Sequence, residues 1–221
     1  EEFIREVDED LRRDQLKKLW LRYGAVPIGL AVLVVAGTVG KVVWDHWRQQ
    51  ERAAEALRFA AAEDALTAAR DAEAAAEFAA LAADGKTGFV ALARLKEAEA
   101  KLALKDQPGA IAALDDLGAA TMPDGPILRE LGTLLAAQRQ LDTADPAELA
   151  RTLEPLAAGD APWRHQAQEL LALLAIRTGE LDKARQILTE LSKEVGVPSS
   201  QQSRAGELLQ AIGGPAAQAS S

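Results

Sequence analysis

Two histidines, six serines and one pair of adjacent aspartates are the groups in this chain whose types suit metal binding or catalysis. His46 lies between Trp44 and Trp47, and His165 stands alone far along the chain. A zinc site needs three or four ligands converging from a short-spaced motif, and two isolated histidines do not supply it. There is no cysteine, so thiol nucleophiles, zinc–thiolate sites and disulfides are excluded. A Ser-His-Asp nucleophile needs a serine held beside a base. Ser192, Ser199, Ser200, Ser203, Ser220 and Ser221 all fall in or near loops and the C-terminal tail. No glycine-rich phosphate loop is present, and Asp115-Asp116 reads as a solvated helix face. The expectation is a protein that is not an enzyme and that carries no cofactor or metal.

The elements that would have to position such groups are built for other work. Tyr23 to Gly40 carries no charge, Lys41 interrupts the run, and Val42, Val43 and Trp44 extend it. A bilayer core of roughly 30 Å needs about 20 mostly apolar helical residues, so residues 23–44 read as a transmembrane helix. Lys41 sits near the end, where its long stem reaches the headgroups. Trp20 and Tyr23 at one end and Trp44 and Trp47 at the other match an aromatic belt in the lipid bilayer. The flank after the span, Lys-Val-Val-Trp-Asp-His-Trp-Arg, is bulky and charged, unlike a signal-peptide cleavage site. Arg5, Arg12, Arg13, Lys17, Lys18 and Arg22 precede the span; Arg48, Arg52 and Arg58 follow it. Positive charge stays cytoplasmic, which places the N-terminus inside and the remainder across the membrane. Ala25-xxx-Gly29 and Ala36-xxx-Gly40 are small-residue spacings that allow another helix to approach closely.

Residues 1–22 read as a cytoplasmic amphipathic arm, with Phe3, Ile4, Val7 and Leu11, then Leu16, Leu19 and Trp20, at helical spacing. Asp8–Arg12, Glu9–Arg13 and Asp14–Lys18 are favourable i,i+4 pairs. Residues 1–44 carry seven acids and seven bases, so the net charge of −9 belongs to the rest. An acidic domain without a basic stripe argues against nucleic acid as a partner.

From residue 45 to 212 the chain reads as one all-α domain of alanine-rich helical hairpins. Ala74, Phe78 and Leu81 share a spacing with Ala110, Leu114 and Leu117, with Leu149, Leu153 and Leu156, and with Ala184, Leu188 and Leu191. Each triplet falls on the second helix of a hairpin and follows a turn-forming break. Helices at 53–69, 87–104, 126–141 and 162–177 come first in each pair. Residues 199–212 form a closing helix, and 213–221 a Gly/Pro/Ala/Ser tail without structure. Ala172, Gly179, Ala184, Leu188 and Leu191 fit the pattern of a tetratricopeptide unit, which the chain resembles in about four degenerate copies. Such hairpins stack, because one alone cannot bury its apolar face. Their inner face comes from the first helices, and its candidate partner-contacting groups are Arg94, Glu97, Lys101, Arg129, Gln138, Gln166 and Glu169.

The opening Phe3-Ile4-Arg5-Glu6-Val7-Asp8-Glu9-Asp10-Leu11-Arg12-Arg13, with Leu16-Lys17-Lys18-Leu19-Trp20 and Tyr23-Gly24, resembles the YfgM-like ancillary subunits of the bacterial Sec translocon. The resemblance implies an inner-membrane anchor, a periplasmic repeat domain, and partners among the translocon, periplasmic chaperones and client proteins. It carries no catalytic residues. A structural subunit of another inner-membrane assembly, respiratory or proteolytic, would use the same plan.

Overall fold

A computed structural model describes residues 25–120 and 126–214. The arm at 1–22, Trp20, Tyr23 and the tail at 215–221 lie outside the described residues. Nine α-helices, and no strand, occur among the described residues. They are α1 Ala25–Thr67, α2 Asp71–Asp84, α3 Phe89–Ala103, α4 Gln107–Ala119, α5 Pro126–Gln140, α6 Pro146–Leu153, α7 Arg164–Thr178, α8 Leu181–Lys193 and α9 Ser199–Ala211. The chain divides into two units, Glu1–Ala54 and Glu55–Ser221.

α1 belongs to both units and differs from the expectation of two separate helices. No glycine or proline lies between Trp44 and Thr67, so nothing interrupts the helical hydrogen bonds. The first helix of the first hairpin is therefore the last turns of α1. Pro27 sits near the start of α1, where the missing N–H costs little.

In the second unit the apolar core is passed along the chain. Ala62 and Ala65 of α1 pack with Ala74, Phe78 and Leu81 of α2 and Ala93 and Ala100 of α3. Ala98 of α3 then packs with Ala110, Ala113 and Leu114 of α4 and Ala136 of α5. Leu134 and Ala137 of α5 join Leu149 and Leu153 of α6 and Leu170 and Leu174 of α7. Ala172 of α7 joins Leu188 and Leu191 of α8 and Ala205 and Leu209 of α9. α3, α5 and α7 thus each serve two neighbouring clusters, the packing order of a stacked repeat array. All members of the four triplets are buried. Leu156 is buried from a turn rather than a helix, because Pro155 has no N–H to continue α6 past Leu153.

Phe59, Phe78 and Phe89 supply the aromatic part of the first cluster, with centroids 5.3 Å apart for Phe59–Phe78 and 5.5 Å for Phe59–Phe89. Beside them Glu55, 7% exposed, turns its carboxylate onto the loop after α2. It accepts from the Lys86 backbone N–H at 2.7 Å, the Thr87 N–H at 3.2 Å and the Thr87 hydroxyl. A charged acceptor satisfying several loop donors makes strong bonds, and Arg58 pairs with Asp84 at 2.8 Å just beyond.

Three hairpin turns close alike. Arg70 N–H bonds Ala65 O at 2.9 Å, Asp106 N–H bonds Lys101 O at 2.8 Å, and Glu180 N–H bonds Ala175 O at 2.8 Å. This six-to-one bond needs a left-handed residue before it, and Ala69, Lys105 and Gly179 have φ of 56°, 62° and 80°. Only one of the three is glycine. Left-handed backbone costs an L-residue roughly 1–2 kcal/mol, offset in part by the entropy glycine loses on folding. Ala69→Gly and Lys105→Gly should therefore each stabilise by roughly 0.5–1 kcal/mol, raising the unfolding midpoint of the double variant by about 2–8 °C. A lower midpoint would contradict the turn geometry. The second and third hairpins are also capped by aspartate. Asp106 accepts from Gly109 N–H at 3.0 Å, and Asp145 from Ala147 and Glu148 N–H, both at 3.0 Å.

Candidate protein-binding groove

The residues expected on the inner face divide into two groups. Glu97 of α3 is 3% exposed, which corrects its reading as a surface group. Lys101 Nζ donates to it at 2.6 Å and Arg94 Nη1 at 3.3 Å, and Arg94 also reaches Asp116 of α4 at 3.1 Å. The i,i+3 and i,i+4 spacings put all three α3 residues on one helix face. Paired charge next to α4 lets that face be covered. Reversing Arg94 would set two acids against each other around a buried carboxylate, so it perturbs folding before it tests binding. Glu169 of α7 is also engaged, its side chain 14% exposed. Arg204 Nε and Nη2 of α9 donate to it at 2.9 and 3.0 Å, and Gln201 Nε2 at 2.9 Å.

The second group stays open. Arg129 and Gln138 of α5 are exposed and Gln166 of α7 is half-buried. Gln138, Gln166 and Glu169 line a groove of about 440 Å³ between α5 and α7. Leu131, Leu134 and Leu135 supply one wall, Leu170 and Leu173 the other, and Trp163 and Arg204 complete the lining. Its size lies within the range of ligand pockets. Both ends are fixed. The Trp163 indole N–H donates to Ile127 O at 3.0 Å. Arg177 donates to Leu141 O and, at 2.7 Å, to Ala144 O, holding the turn after α5. Sequence reasoning missed Trp163 and Arg204. The placing of Trp163 directly after Pro162 at a helix entry was the available signal.

The groups whose types suit chemistry are dispersed. Arg164 donates to His165 Nε2 at 2.9 Å and to the Glu194 carboxylate. That hydrogen bond holds the Glu194 carboxyl below its ordinary range. Burial, and then the neighbouring Asp116, push the Asp115 carboxyl up. Among the described residues no three His, Cys, Asp or Glu side chains are grouped to hold a metal ion.

In the first unit, α1 is exposed on every side from residue 29 to 50. Gly29, Ala36 and Gly40 are open, with nothing within 4 Å of a Cβ built on either glycine. Ala25 lies in the first turn of α1. Trp44 and Trp47 are 60% and 66% exposed, and the Arg48 guanidinium lies 5.6 Å from the Trp44 ring. The stretch from Gly29 is long and apolar enough to cross a membrane.

The chain matches the family described as tetratricopeptide repeat-like domain over residues 17–186. It belongs to that family. The tetratricopeptide-like match covers the apolar segment together with α2 to α7 and the first part of α8. No curated protein and no solved structure matches the chain. Tetratricopeptide-like arrays present extended surfaces to other proteins, and protein binding is the role this family membership supports.

Proposed function

We propose that the protein is a non-enzymatic adaptor anchored in the bacterial inner membrane, an ancillary subunit of the Sec translocon. In this reading α1 crosses the bilayer with the N-terminus cytoplasmic, and the repeat unit lies in the periplasm. There it holds chaperones or emerging client proteins near the translocon. One observation carries the reading. The family match runs unbroken from the basic flank at residue 17, through the apolar segment, into the repeats, which supports reading that segment and the array as one functional unit. The small residues Ala25, Gly29, Ala36 and Gly40 would meet a membrane partner's helix. Tethering would raise the local concentration of partners without further contacts.

Crosslinking in native membranes, followed by mass spectrometry of the adducts, tests this. Translocon subunits should be recovered through α1, with periplasmic chaperones or clients through the repeat unit. Recovery of respiratory or protease subunits in place of the translocon would overturn the assignment.

A further inference from the structure

We draw no further inference here: the strongest candidate, the polar cleft of about 210 Å³ between α4, α5 and α6 lined by Asp115, Thr133, Gln140, Glu148 and Thr152, is a cluster of acidic and other polar side chains, and nothing in the structure shows what covers it.

Discussion

Ala184→Arg should lower the unfolding midpoint of the repeat unit by roughly 10 °C. Ala184 is fully buried in α8, a helix that packs against both α7 and α9. Leu188 and Leu191, one and two turns further along α8, are buried in a cluster with Ala172 of α7. Alanine there is what lets the two helices of the hairpin approach. An arginine adds volume that a close-packed interior cannot absorb, about 1–3 kcal/mol. It also brings a guanidinium into a position closed to solvent, which costs several kcal/mol more unless the helices part. About 1 kcal/mol moves the midpoint of a chain this size by roughly 2–4 °C, which gives the expected fall. Thermal unfolding followed by circular dichroism checks it, and a midpoint within error of wild type would show that α7 and α8 do not meet at Ala184.

Gly132→Leu should destabilise by a similar amount, through a different contact. A Cβ on Gly132 would lie 2.9 Å from Gly118 N, 2.9 Å from Leu114 O and 2.9 Å from Leu117 Cγ. Two of those atoms are backbone and cannot swing aside. The approach is mutual, because a Cβ on Gly118 would meet Thr133 Oγ1 at 2.7 Å. α4 and α5 therefore touch through their main chains. Even Gly132→Ala should lose stability, although alanine gains about 1 kcal/mol in helix propensity, because overpacking costs about 1–3 kcal/mol. Leucine should separate the helices, with loss of amide-exchange protection centred on α4 and α5. A Gly132→Ala variant more stable than wild type would contradict the close crossing.

The repeat array was legible because its signal is periodic. The triplet from Ala74 to Leu191 recurs at a nearly constant interval, and burial demands that spacing wherever two helices stack. Asp106 and Asp145, each ahead of a proline, announced their helix starts in the same local way. Turn conformation was only partly legible. Gly179 declares a left-handed residue, whereas Ala69 and Lys105 take the same conformation because tertiary packing outweighs their local preference. The surface was least legible. Helical spacing shows that Arg94, Glu97 and Lys101 share a face, but not that α4 lies beside it. Glu169 is claimed by Arg204 and Gln201 from more than thirty residues away, a contact no local pattern encodes. The clamp of Glu55 on the loop at Lys86 and Thr87 was invisible for the same reason. The groove could be placed on the first helices of the hairpins, but its leucine walls emerge only once α5 and α7 are set side by side.

The proposed anchoring through α1 requires the repeat unit to lie on the periplasmic side of the inner membrane. Alkaline phosphatase, active only in the periplasm, should be joined after Gly213 of the intact chain and its activity measured in living cells. Six basic residues before the apolar segment against three soon after it predict an active fusion if α1 crosses as proposed. The matching fusion to a reporter active only in the cytoplasm should be silent. An inactive phosphatase with an active cytoplasmic reporter would put the repeats on the cytoplasmic side and contradict the proposed function.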